Sequence, residues 1–272
     1  MRPNVALVLA LSLTAAGGRT PLSAQAPRTY SYDFLLDPGD EKSHRVIHGT
    51  VRVSGTRARL DTDEEKPRGE KSYLLIGNEG RTVYVVRPDR QMYEAHDADE
   101  FVHVVGTAMR AAGPVMKIDV RDVRLGTARL GAGEPVAGRP TQRMQLRQRW
   151  TMSMRVLGFV KEDMTGSSVA EYWSDPSMPL MRNPLFELVS AAHLALASAD
   201  ADFMAQAEGA RAAFFRGSPL KADIRLRMSG KDSDDATHLR YEVTKITVGG
   251  VDESALALPN GYKRTNSREV SF

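Results

Sequence analysis

Residues 144–160, MQLRQRWTMSMRVLGFV, decide how the rest of the chain is read. Met144, Leu146, Trp150, Met152, Met154 and Val156 share one parity, interrupted only by Gln148. Gln145, Arg147, Arg149, Thr151, Ser153 and Arg155 take the other. Alternation of this length marks a strand with one dry face and one wet, basic face. It is too long for an edge ribbon and predicts a central strand of a large, curved antiparallel sheet, which can bury one face and wet the other. Methionine and tryptophan stand where valine and isoleucine are usual, and methionine adapts to irregular neighbours. The dry face therefore has two readings, a core filled by Met152 and Met154 or the wall of a cavity. A preformed void separates them.

Outward from this strand, the same period recurs. Residues 30–36 set Tyr30, Tyr32, Phe34 and Leu36 against Ser31 and Asp33, and residues 47–54 set Ile47, Gly49, Val51 and Val53 against His48, Thr50, Arg52 and Ser54. Gly55 turns the chain into residues 57–61. Residues 72–76 and 82–86 read as a hairpin around Asn78-Glu79-Gly80, and Arg87-Pro88-Asp89-Arg90 closes another onto residues 91–94. Two strands are predicted near 116–125 and 128–130, followed by a glycine- and proline-rich connecting loop over 131–140. Residues 167–173, 222–228 and 239–248 complete the set, with a parity switch near Lys245 that predicts a bulge. The charged stretch 61–71 reads as a solvated loop, and 256–262 as an ordered closing segment.

Three stretches follow the helical period instead. Phe101, Val104, Val105, Ala108, Met109 and Ala112 form one stripe, with Asp97 to Glu100 supplying negative charge at the expected N-terminus. Leu185, Leu188, Val189, Ala192 and Leu196 form a second behind Asn183 and Pro184, and Phe203, Ala207, Ala210 and Phe214 a third after Asp200. The expected fold is therefore α+β, a curved antiparallel sheet (an incomplete β-barrel) with amphipathic helices covering its concave face. Trp150 and Tyr84 should lie on the sheet, and Phe101, Leu188 and Phe214 should point toward it from helices.

The N-terminus reads as an address. Arg2 precedes an apolar run over residues 5–16, Gly17-Gly18 breaks it, and Ala24-Gln25-Ala26 offers small residues for cleavage after Ala24 or Ala26. The run is too short to span a membrane as a helix. Residues 1–26 are the expected signal peptide and 27–272 a single domain. Loss of Arg2 and Arg19 takes the formal charge from +3 to +1, which argues against nucleic acid as a partner. The absence of cysteine leaves no acylation site and no thiolate chemistry. A periplasmic, soluble mature form is expected, with no integral membrane segment.

Arg81-Thr82-Val83-Tyr84-Val85-Val86-Arg87-Pro88-Asp89-Arg90-Gln91-Met92-Tyr93 resembles the hairpin of an exported bacterial family of unknown function related to the LolA/LolB-like lipoprotein carriers. Glu171-Tyr172-Trp173-Ser174-Asp175-Pro176, Ile246-Thr247 and Leu258-Pro259-Asn260-Gly261-Tyr262-Lys263 are similar to it too. The resemblance covers most of the mature chain. It implies an incomplete antiparallel barrel closed by helices around an apolar cavity, in a superfamily linked to carrying or sensing acyl chains.

Catalytic signatures are sparse. His44 and His48 share a parity but stand about 13 Å apart in an extended chain, too far to ligate one metal. His193 lies beside its apolar stripe. Asp232, Asp234 and Asp235 lack the glycine and distal glutamate of a calcium loop. Neither a Gly-x-Ser-x-Gly elbow nor a His-Glu-x-x-His helix occurs. No metal, cofactor or catalytic residue is expected. The expected site is an apolar cavity lined by Met144, Leu146, Trp150, Met152 and Met154 on the sheet and by Phe101, Val105, Leu188 and Phe214 opposite, holding an acyl-chain or lipid-like ligand. An envelope sensor or protein-interaction domain, using the wet Arg147/Arg149/Arg155 face or the 61–71 loop, is the alternative, and an unrecognised hydrolase the third class.

Overall fold

The computed structural model describes residues 29–39, 46–63, 71–77, 82–97, 116–156, 160–178, 181–183, 217–230 and 234–265. Twelve strands among them form one sheet. In chain order they are β1 (Thr29–Asp37), β2 (Ile47–Ser54), β3 (Arg57–Thr62), β4 (Tyr73–Gly77), β5 (Thr82–Arg87), β6 (Met92–Asp97), β7 (Met116–Val136), β8 (Arg139–Val156), β9 (Val160–Asp175), β10 (Ser218–Ser229), β11 (Asp234–Val248) and β12 (Lys263–Arg264). The sheet order is β12-β6-β5-β4-β3-β2-β1-β11-β10-β9-β8-β7. Two meanders, β1 to β6 and β7 to β11, are joined by the antiparallel β1–β11 ladder, and β12 alone pairs in parallel, with β6.

Alternation in the sequence becomes alternation in burial. Tyr30, Tyr32, Phe34 and Leu36 of β1 and Leu220, Ala222, Ile224, Leu226 and Met228 of β10 are buried, and the residues between them are not. The main core joins the β1 stripe and Leu220, Ala222 and Ile224 to Val51, Val53, Leu60, Ile76, Met144, Leu146, Tyr172, Leu239, Tyr241 and Val243, while Leu226 and Met228 belong to a separate cluster. Residues 181–183 are strapped across the dry face of β1: the Arg182 amide donates to Tyr30 Oη (2.8 Å) and Tyr32 Oη donates to the Arg182 carbonyl (2.9 Å). Burial, with Tyr241 and Tyr30 close by, pushes the Tyr32 phenol well above its ordinary pKa, so it stays a neutral donor. On the opposite face of β3 to β5 the closing segment packs Leu256 against Tyr73, Leu75 and Val86. Asp252 caps its 3-10 turn, Glu253–Leu256, by accepting from the Ser254 amide.

The expected bulge is present. Asp33 faces Lys245 and Phe34 faces Val243, so Thr244 is the extra residue. Two expectations are corrected. Residues 131–140 are not a loop: β7 runs unbroken to Val136, and β8 begins at Arg139 after a tight Ala137-Gly138 turn. Their glycines and prolines are compatible with strand because β7 is at the edge of the sheet, and Glu134 and Pro135 together oppose Pro140 at a register shift.

The α+β class with amphipathic helices covering the sheet is overturned. The described residues are nearly all β, 74% strand, with no helix of seven residues or more, and no amphipathic helix covers the sheet. Long ladders satisfy the backbone strand to strand, and curling of the sheet brings β7 within 8 Å of β11, four places away. The stretches read as helices, within 98–112 and 184–214, lie outside the described residues. None of the described helices is long and apolar enough to cross a membrane.

Candidate functional site

Four rows of directly opposed residues cross β8, β9 and β10 on the dry face: Trp150, Gly166 and Met228; Gln148, Ser168 and Leu226; Leu146, Ala170 and Ile224; Met144, Tyr172 and Ala222. The middle strand contributes three small side chains in succession, Gly166, Ser168 and Ala170. They form a low file between taller neighbours on both sides.

Trp150 ends this file. Only 3% of it is exposed, and it packs with Leu226, Met228, Val123 and Met164 as an apolar cluster apart from the main core. A Cβ on Gly166 would fall 2.1 Å from Trp150 Cε2, so only glycine fits beneath the ring. On the other side, Arg121 faces Thr151 and Arg124 faces Arg149, leaving Asp122 (φ 56°) and Val123 together opposite Trp150 as a bulge. The indole Nε1 is buried and has no hydrogen-bond partner among the described residues. Gln148, the one polar break in the 144–156 parity, is itself buried, and Ser168 Oγ donates to its Oε1 at 3.2 Å.

The predicted site residues divide. Met144 and Leu146 are in the main core, and Trp150 is in its own cluster. Met152 and Met154 continue β8 in register with Met164 and Glu162. Phe101, Val105, Leu188 and Phe214 lie outside the described residues. Sequence reasoning missed the file itself, whose only signal was the small parity Gly166, Ser168, Ala170. It also passed over Gln148 as an interruption.

The wet face carries a second feature. A groove of about 710 Å³ is lined by residues that include Asp37, Val169, Arg225, Arg227, His238 and Arg240, and by none of those predicted for the cavity. His238 Nε2 lies 2.9 Å from Asp223 Oδ2, and Arg240 Nη2 donates to Asp37 Oδ2 at 2.7 Å. The Gly39 amide first, and Arg240 second, hold the Asp37 carboxyl below its ordinary pKa.

Compared with known proteins, the chain matches no family model, and no curated protein matches it.

Proposed function

We propose that the chain is an exported, periplasmic, non-catalytic binding protein for a hydrophobic ligand with an acyl-chain-like body, held along the β9 file beside Trp150. One observation carries the reading: a file of small side chains on a dry face ends at a buried indole N–H that no described residue engages. A buried donor left unmade is costly, and an acceptor on a ligand head would satisfy it. A chain laid over Ser168 and Ala170 would bury its methylenes, each contributing about 0.8 kcal/mol before ordering costs. Gln148 and Ser168 offer a second polar contact midway along it.

Trp150 and Trp173 are the two tryptophans, so a Trp173→Phe variant reports from the site alone. Titration with oleate or a lysophospholipid should shift or quench its emission saturably. Ala170→Leu, which raises the floor of the file, should abolish the response in a protein that circular dichroism shows to be folded. Affinity of Trp150→Phe, followed by calorimetry, should fall about three- to tenfold for one lost hydrogen bond. A folded parent with no saturable response to either ligand refutes the reading.

A second reading, an envelope sensor or protein-interaction domain, is favoured by β7. It is an end strand of the sheet and residues 122–135 are mostly exposed, so its backbone offers a template for an added strand. Recovery of an envelope protein in complex, without extractable lipid, would select it.

A further inference from the structure

We infer that the wet face of β7 to β11 docks on an anionic phospholipid surface, with Val169 seated among Arg147, Arg149, Arg225 and Arg227. Register builds this array from four strands. Arg124, Arg149, Ser167 and Arg227 lie in one row, and Arg147, Val169, Arg225 and His238 in the next. Like charges directly opposite each other in a sheet repel, yet Arg124 faces Arg149 with no acid between them.

Three nearby carboxylates are held by groups other than Arg124, Arg147 and Arg149, and Arg227 makes an interaction of its own. Asp223 is shared by His238 (2.9 Å) and Arg225 (3.4 Å), Asp37 is taken by Arg240, and Glu171 by Arg143. Among the described residues no ion pair engages Arg124, Arg147 or Arg149, and Arg147 Nε donates only to Gln145 Oε1. The mature chain's expected net charge is only +1, so this is a local concentration of charge.

Two features favour a lipid surface over a single bound anion. The arginines stand side by side over four strands, β7 to β10, about 14 Å at the usual inter-strand spacing, rather than converging on one point. Val169, 37% exposed at the centre of the array, supplies an apolar contact between headgroups, while arginine stems cover apolar surface and their forks take phosphate oxygens two at a time. The inference rests on this face alone and stands independently of the dry-face ligand.

Flotation of the full mature chain with vesicles tests it. Protein should rise with phosphatidylglycerol/phosphatidylcholine vesicles at low salt, stay behind with pure phosphatidylcholine, and be released by high salt. Arg147→Gln and Arg149→Gln should each weaken partition about fivefold, and the combined Arg147→Gln, Arg149→Gln, Arg225→Gln and Arg227→Gln variant by at least about twenty-five-fold. Arg143→Gln, whose partner is Glu171, should change it little. Equal binding to neutral vesicles overturns the inference, as does retained binding by the folded fourfold variant. Saturable binding of inorganic pyrophosphate without vesicle binding overturns it in favour of a free-phosphate site. Capture on polyglutamate without vesicle binding overturns it in favour of an acidic protein partner.

Discussion

Trp150 covers Gly166, the residue directly across the β8–β9 ladder, closely enough that an added Cβ would fall 2.1 Å from the ring. Phe34 covers Gly49 across the β1–β2 ladder in the same way, with a Cβ falling 2.3 Å from Phe34 Cζ. In both pairs a bare backbone is the floor on which an aromatic ring rests.

Gly166→Ala should therefore destabilise the protein by about 1–3 kcal/mol, the usual cost of overpacking. Gly126→Ala makes the same chemical change in β7, where a Cβ would meet nothing within 4 Å. It should be neutral, or stabilising by up to about 1 kcal/mol, by reducing unfolded-chain entropy. Urea unfolding of the two variants reads the difference, and equal midpoints would show that the ring does not constrain Gly166.

The β7–β8 turn isolates backbone strain from packing. Ala137 (φ 50°) and Gly138 (φ 73°) are both left-handed, as a two-residue hairpin turn of the primed type requires. Gly138→Ala should cost about 1–2 kcal/mol although the space around it is open. Ala137→Asn, a residue that tolerates this conformation, should gain up to about 1 kcal/mol in thermal unfolding. A neutral Gly138→Ala would contradict the turn geometry.

Acid should weaken the β8–β9 ladder through Glu171. The hydrogen bond from Arg143 above all, and a second from Gln145, hold this carboxyl below its ordinary range. A depressed folded pKa means that the unfolded chain binds the proton more readily. The contribution is thus complete above the unfolded value near about 4.3 and is lost as pH falls through the folded value. Both side chains are partly exposed, which limits the pair to about 0.2–1 kcal/mol. Urea midpoints should fall less steeply below about pH 4.3 in Glu171→Gln than in the parent. Parallel curves would remove Glu171 from the acid response.

Asp175 anchors the end of β9. Fully buried, it accepts from the Ser177 amide (2.8 Å) and hydroxyl (2.6 Å) and meets Arg139 at 3.3 Å. Asp175→Ala should cost about 1–3 kcal/mol by removing these hydrogen bonds, each worth about 0.5–1.5 kcal/mol net, and Asp175→Asn, which keeps an acceptor, distinctly less. Differential scanning calorimetry of the pair checks the order, and the reverse order would rule out the hydrogen bonds as the cause.

Strand identity and facing were largely legible, because side chains alternate with a period of two that needs no knowledge of partners, although Ser153, on the parity read as wet, is buried. The dry parity of 144–150, the β1 and β10 stripes and the Thr244 bulge all follow from it. Composition misled at 131–140, where glycine and proline read as loop but occupy an edge strand and a register shift. Helical periodicity likewise raised an expectation of covering helices that the all-β character of the described residues overturns.

Partnership was decided only by the tertiary structure. Gln148 is a break in a pattern until register places Ser168 opposite it, twenty residues away. Gly166 is an unremarked glycine until Trp150 lies over it, and Arg147 and Arg149 become part of a basic array only when β9 sets Arg225 and Arg227 alongside. The alternation of a strand is a local property of the backbone, whereas register is a choice among distant segments, and that choice determines which small, polar or charged side chains meet.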